Sequence, residues 1–290
     1  MPELPEIEAL AHFLRAHAAG RTVERVDVAA LSVVKTFDPP ISALQGRVLN
    51  RVGRAGKCLM LDCEGLYLVL HFARAGWLKW SDALPTTPAR PGRGPLALRV
   101  HLGGDGDGAA GGFDITETGT RKSLAAWVVA DPLDVPMVAG LGPDAATVGR
   151  DEFAELLAAA GARRLRTVLT DQREIAGIGG AYADEILHRA GLSPFAPAEN
   201  LDGRTLDTLH SAMRDILGEA VRELAEADVA RLKAYKRAAA AVHGRAGERC
   251  PVCGDIICEV SYEARSLQYC PTCQTGGKVL ADRRLSRLLK

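Results

Sequence analysis

The chain has 290 residues, 47% hydrophobic and 25% charged, with 36 Lys/Arg against 36 Asp/Glu. That length holds two ordinary domains with separate cores, and the composition excludes disordered and fibrous classes. No apolar run approaches the ~18 residues of a membrane helix and no signal-peptide pattern precedes the acidic start, so a cytoplasmic protein with no membrane partner is expected.

The charge balance conceals an asymmetry. Residues 231–290 hold 12 Lys/Arg and 5 Asp/Glu, a net +7, and residues 1–230 hold 24 and 31, a net −7. A basic end on a neutral chain suits a polyanion met from one side. Seven cysteines, four of them in two Cys-x-x-Cys units, indicate a reducing compartment and a metal rather than disulfides.

The chain opens Met1-Pro2-Glu3-Leu4-Pro5-Glu6-Ile7-Glu8. With Met1 removed, Pro2 is a secondary amine that attacks aldehyde carbon to give an iminium ion. An α-amine titrates near ~7.7–8.0, so a useful fraction is unprotonated at neutral pH. The alternative is a helix entry, with Pro5 in the first turn and carboxylates against the positive helix end.

Ile7, Leu10, Leu14 and Ala18 define one face of a helix over residues 5–19, closed by Gly20. Short β-rich runs follow from Thr22 to about Ala130: Val23–Val28, Leu59–Leu61, Leu66–Leu70, Leu96–Val100 and Trp127–Val129. Their spacing predicts an antiparallel sandwich or barrel packed on the first helix. The Gly103–Gly112 stretch lacks the Lys-Ser/Thr and the strand-to-helix setting of a phosphate loop, and reads as a flexible hairpin loop.

Pro132, Pro136 and Pro143 mark a linker, and the chain is then helical. Asp151 is placed to cap Glu152–Ala160, and further helices are expected over Arg164–Thr170, Ala181–Ala190 and Leu206–Ala227. Between them, Gln172 to Ala181 carries Gly177, Gly179 and Gly180. Such a turn lets backbone N–H groups approach a phosphate at a helix start; a plain packing joint between two helices is the alternative.

The last forty residues form a β-rich unit too small for a core of its own. Cys250-x-x-Cys253 and Cys270-x-x-Cys273, 16 residues apart, have the spacing of a closed four-thiolate zinc site. Cys258 falls off that pattern. Glu259–Tyr269 reads as two strands and a turn with Arg265 near the tip, suited to phosphate or groove contact, or else a merely exposed arginine.

Pro2-Glu3-Leu4-Pro5-Glu6, Gly56-Lys57 on a strand, Ala176-Gly-Ile-Gly179 before Tyr182-Ala-Asp-Glu185, and the terminal four-cysteine finger occur in one order. In this the chain resembles the formamidopyrimidine-DNA glycosylase/endonuclease VIII family over nearly its whole length. The resemblance implies an α+β fold with an N-terminal helix and antiparallel β-sandwich over 1–131 and a linker over 132–149. A helix-two-turn-helix domain over 150–242 and a zinc-finger β-hairpin over 243–290 complete it.

It also implies a monomeric, nucleoid-associated repair enzyme that flips a damaged nucleotide into a pocket between domains. Pro2 would attack C1′ of the deoxyribose, leaving a Schiff base, with Glu3 as general acid/base and Glu6 in support. Lys57 would contact phosphates around the lesion, and Arg265 would hold phosphates during strand scission by β,δ-elimination. Gly177, Gly179 and Gly180 would line the DNA-binding turn, and one structural Zn2+ would sit on Cys250, Cys253, Cys270 and Cys273.

Two departures bear on the lesion. Gly180 stands where the family usually has Asn, and His71-Phe-Ala-Arg-Ala-Gly76 replaces His-Leu-Gly-Met-Ser/Thr-Gly, so that Arg74 takes the place of a methionine that fills the flipped base's hole. Arg74 either stacks or hydrogen-bonds there, or pairs locally. These departures point to an endonuclease VIII-like member. The competing readings are a lesion- or abasic-site-binding protein without excision activity, and a generic zinc-ribbon adaptor.

Overall fold

A computed structural model describes residues 1–92, 94–104, 111–118, 122–262 and 265–281. Two units divide the chain: Met1–Leu141 with Glu223–Leu232, and Gly142–Arg222 with Lys233–Lys290.

In the first unit, helix α1 (Leu4–His17) buries Ile7, Leu10, Ala11 and Leu14 completely. It lies on strands β2 (Leu49–Ala55) and β3 (Cys58–Cys63). Glu8 fixes that seat by pairing with Arg15 and Arg54, while Arg15 also donates to the Val52 carbonyl. The helix starts and stops slightly earlier than the 5–19 expected, because Glu3 caps it and Ala18 leaves the helical conformation ahead of Gly20 (φ +85°).

The remaining strands of this unit are β1 (Val23–Val28), β4 (Leu66–His71), β5 (Gly76–Ser81), β6 (Leu96–Leu102), β7 (Gly111–Glu117) and β8 (Ala125–Val129). They form two four-stranded antiparallel sheets, ordered β1-β6-β7-β5 and β2-β3-β4-β8. Strand alternation sends one set of side chains inward. Leu59, Leu61, Leu68, Leu70, Ala126 and Val128 join Leu98, Val100, Phe113 and Ile115 in the main core.

The opposite set, with Cys58, Val69 and Val129, is covered by Val135 and Val138. Val138 belongs to a short helix α2 (Pro136–Ala139), so the segment expected as a linker closes the outer face of a sheet. The expected loop over Gly103–Gly112 joins β6 to β7, but residues 105–110 lie outside the described residues.

The second unit begins with α3 (Arg150–Ala160). Its N-cap is Gly149, so Asp151 is not the cap; it sits inside the first turn, where its charge still meets the positive helix end. Next come α4 (Leu165–Thr170), α5 (Gly180–Arg189), α6 (Gly203–Ala225) and α7 (Leu232–Ala239). Leu206, Leu209, Met213 and Leu217 form the buried stripe of α6, as their period predicts.

The chain ends in a hairpin of β9 (Cys258–Tyr262) and β10 (Arg265–Tyr269), followed by α8 (Pro271–Thr275). Among the described residues, two small apolar clusters support it, one around Cys250, Ile257 and Cys270, the other around Val260, Leu267 and Tyr269. No described helix is long and apolar enough to cross a membrane.

Candidate functional site

At the N-terminus, Pro2, Glu3 and Glu6 are all buried while Met1 is 45% exposed. The Glu3 N–H donates to Glu6 Oε2 at 2.7 Å, and the pair forms a capping box. This reciprocal arrangement satisfies two N–H groups that a helix start otherwise leaves open. Pro5 occupies the first turn, where its missing N–H costs nothing. The helix-entry reading is thus correct. It does not compete with the reactive one, because the same capping box fixes Glu3, which follows Pro2 in the chain, against Glu6.

Lys57 does not lie on a strand. Ala55 pairs with Cys58, so Gly56 and Lys57 form the two-residue turn between β2 and β3. Gly56 has φ +52° at the first turn position, the conformation for which glycine is favoured there. Lys57 is only 7% exposed, and Cys58 pairs across the sheet with His71. Burial, and then the nearby Lys57 ammonium, hold His71 below the usual imidazole range, which makes it a neutral acceptor or donor at pH 7. His71 was not singled out from sequence; only its place at the end of an apolar strand hints at it.

Arg74 is exposed at the tip of the turn from β4 to β5. That turn is tight, with Gly76 N–H donating to the Phe72 carbonyl at 2.8 Å and Ala73 at φ +49°. Among the described residues Arg74 has no ion-pair partner, so the local salt bridge considered for it is not formed.

In the second unit the glycine turn is braced by Gln172. Its side chain accepts from Gly177 N–H at 2.9 Å and donates to the Ile178 carbonyl at 2.8 Å, with Gly177 at φ +106°. Gly179 is the N-cap of α5 and Gly180 its first residue, so the cap residue itself contributes no side chain to the helix start. A Cβ at Gly180 would stand 3.1 Å from an Arg166 guanidinium nitrogen. Position 180 therefore lies beside a cation.

Arg166 donates to Asp184 at 2.6 Å and to the Ser266 carbonyl of β10 at 3.0 Å. Asp184 also pairs with His243 at 2.8 Å. Glu185 accepts from the backbone N–H groups of Ala241, Val242 and His243 at 2.8, 3.0 and 2.8 Å. These two carboxylates tie α5 to the segment entering the finger and to the hairpin. Arg265 is the first residue of β10, paired with Tyr262 across the hairpin.

The four finger cysteines converge. Cys250 and Cys273 sulfurs lie 3.9 Å apart and those of Cys253 and Cys270 3.3 Å apart. A tetrahedral Zn–S set with bonds of ~2.3 Å has edges of about 3.8 Å, whereas a disulfide needs about 2.05 Å. The donor set therefore fits a four-thiolate ion. His188 adds a nitrogen 3.3 Å from Cys250 Sγ and belongs to a group with Cys250, Cys270 and Cys273 able to hold a metal.

Burial pushes the Cys250 thiol up, but the N–H groups of Cys253 and Val252, with His188, outweigh it and leave it lowered. The Asp255 N–H, followed by Cys270, lowers Cys253. Burial raises Cys270 to about 11 and raises Cys273 further. Four sulfurs this close cannot all ionise without a cation among them.

A helix-capped β-sandwich with Pro2 and buried carboxylates at its start, and a unit of helix–turn–helix and four-cysteine hairpin, define a two-part architecture. Residues 1–121 match the formamidopyrimidine-DNA glycosylase N-terminal domain, and residues 137–229 match the formamidopyrimidine-DNA glycosylase H2TH domain. A formamidopyrimidine-DNA glycosylase of Geobacter metallireducens is 32% identical over 280 residues, covering 95% of this chain and all of that one.

A formamidopyrimidine-DNA glycosylase-like protein of Mycobacterium tuberculosis is 56% identical over 155 residues, 53% of this chain and 98% of its own length. The crystal structure of the Fpg protein of Thermus thermophilus superposes with a TM-score of 0.78 at 30% identity, covering 96% of this chain and 100% of that one. The chain belongs to the formamidopyrimidine-DNA glycosylase family.

Proposed function

We propose that this chain is a bifunctional DNA glycosylase and abasic-site lyase that removes oxidised bases from DNA. The observation that carries the proposal is the buried Pro2-Glu3-Glu6 arrangement at the start of α1, in a chain of this family. With Met1 removed, the Pro2 nitrogen bonds to C1′ of the damaged nucleotide as the C1′–base bond breaks, and the base leaves with a proton. Glu3 donates a proton to the ring oxygen, which opens the sugar and leaves an iminium ion between Pro2 and C1′. Loss of a C2′ proton then expels the 3′ phosphate, and a second elimination expels the 5′ phosphate. Water finally hydrolyses the iminium and restores the amine.

Glu6 holds the Glu3 backbone in place through the capping box. Lys57 and Arg265 contact phosphates flanking the lesion, and Gly177, Gly179 and Gly180 let the backbone approach another. Arg74, exposed on its turn, meets the base left without a partner. Cys250, Cys253, Cys270 and Cys273 hold one Zn2+, which when bound cross-links a finger too small to fold on its apolar contacts alone. Several solved structures of the Fpg protein from Lactococcus lactis, related in fold at 21–22% identity, contain abasic-site or lesion-bearing DNA, which agrees with damaged DNA as the partner here.

The test is nicking and borohydride trapping on duplexes carrying an abasic site or an oxidised base. The wild type traps and nicks, while Pro2→Gly and Glu3→Gln do neither. Full trapping by both variants would refute the mechanism. The replacement of Asn by Gly180 favours a second reading, lesion binding without excision, for which the outcome is tight binding to abasic DNA with no cleavage by the wild type.

A further inference from the structure

The last turn of α5 ends against the second Cys-x-x-Cys unit. A Cβ at Gly191 would stand 3.5 Å from the Cys273 carbonyl oxygen. Gln274 donates to the Leu192 carbonyl at 2.9 Å and accepts from the Cys270 N–H at 2.9 Å. Residues three and four apart share a helix face, so His188 lies on the same side of α5 as Asp184 and Glu185, which bind His243 and the 241–243 backbone. His188 is 6% exposed, and its Nε2 is 3.3 Å from Cys250 Sγ. Among the described residues its side chain hydrogen-bonds to that sulfur alone.

A nitrogen so placed stands where a metal ligand stands. With Zn–N of ~2.0–2.1 Å and Zn–S of ~2.3 Å, the N···S edge of a tetrahedron is about 3.6 Å. The His188 nitrogen and the sulfurs of Cys250, Cys270 and Cys273 all lie within 4.8 Å of one another, and three thiolates with one imidazole form a standard closed zinc set. The finger therefore gathers five donors for four coordination positions. Of its cysteines, Cys253 is the exposed one, next to Val252 at 74% exposure; Cys250 and Cys270 are buried and Cys273 is half-buried. A thiolate open to solvent is the one that electrophiles reach first.

We propose that His188 is a reserve ligand: when Cys253 is lost from the site, Nε2 completes a Cys3His set with Cys250, Cys270 and Cys273, and the finger keeps its metal. This role rests on the four-thiolate zinc reading above, which leaves the His188 nitrogen outside the metal.

X-ray absorption at the zinc edge of the full-length protein, with zinc content after dialysis, reads the ligand set. The wild type shows four sulfurs at ~2.3 Å, and His188→Gln alone keeps them. Cys253→Ala retains about one zinc per chain, with three sulfurs at ~2.3 Å, one nitrogen at ~2.0–2.1 Å and the outer-carbon scattering of an imidazole. Cys253→Ala/His188→Gln shows no imidazole signal. Lacking one ligand, it binds zinc more weakly than Cys253→Ala by more than the ~10–100-fold that loss of an outer hydrogen-bond partner costs. The spectrum of Cys253→Ala decides the matter even if the double variant does not fold.

Loss of zinc from Cys253→Ala, or its retention without an imidazole, overturns the reserve role and leaves the four-thiolate reading standing. An imidazole signal that persists in the double variant overturns the role of His188 as well. A wild type without zinc, or with three sulfurs and one nitrogen, overturns both readings.

Discussion

Glu185→Ala tests the junction that carries the finger. The Glu185 carboxylate is 9% exposed and accepts three backbone N–H groups, those of Ala241, Val242 and His243. Truncation removes all three bonds together. Val242 is completely buried, so water cannot replace the carboxylate at its N–H, and an unsatisfied buried donor costs about 1–3 kcal/mol. The N–H groups of Ala241 and His243 are reachable by water and lose about 1 kcal/mol each, the net value of an ordinary hydrogen bond.

The expected total is about 3–5 kcal/mol, a large share of the ~5–15 kcal/mol that stabilises a typical protein. Urea denaturation of the zinc-loaded protein measures the loss, and amide exchange at residues 241–243 locates it. Because those residues enter the finger, a chelator such as EDTA should strip zinc from the variant faster. A loss below about 1 kcal/mol, together with unchanged exchange at residues 241–243, would refute the reasoning.

Two further outcomes follow from single residues. A Cβ at Gly76 would lie 2.2 Å from the Phe72 carbonyl oxygen, and only backbone movement relieves that clash. Gly76→Ala should therefore destabilise the first unit by about 2 kcal/mol or more in thermal unfolding, and displace the turn that presents Arg74; a neutral effect contradicts it. Burial pushes the Asp27 carboxyl up, but the Ala89 N–H, His101 and Arg25 outweigh it and hold it below the usual aspartate range. A carboxylate lowered in the folded state stabilises above its unfolded value and loses that contribution as pH falls through the folded one. Asp27→Asn should thus cost about 1–3 kcal/mol at pH 7 and progressively less below pH ~4; a deficit independent of pH contradicts the assignment.

What the sequence displays depends on the range of each interaction. Short β-rich apolar runs exposed β4 and β6, and the paired Cys-x-x-Cys units exposed the finger, because those signals are local. Strands β5 and β7 were not singled out. Lys79 and Asp114, paired in register, and three glycines interrupt their apolar patterns. Gly56 was read as strand, although its positive φ and the pairing of Ala55 with Cys58 make it a turn that lifts Lys57 out of the ladder.

The network around Asp184 was not legible at all. Its partners Arg166 and His243 lie 18 and 59 residues away in sequence. Glu185 binds backbone N–H groups, which no side-chain pattern reveals. His188 meets Cys250 across 62 residues, and nothing near either one signals it.

The central claim is that the Pro2 nitrogen is the nucleophile, and mass spectrometry of the trapped complex tests it most directly. Borohydride reduction on abasic-site DNA, followed by nuclease and protease digestion, should yield an N-terminal peptide lacking Met1 with the reduced sugar on Pro2. A mature chain that retains Met1, or an adduct mapped to Lys57 or another lysine, would contradict it.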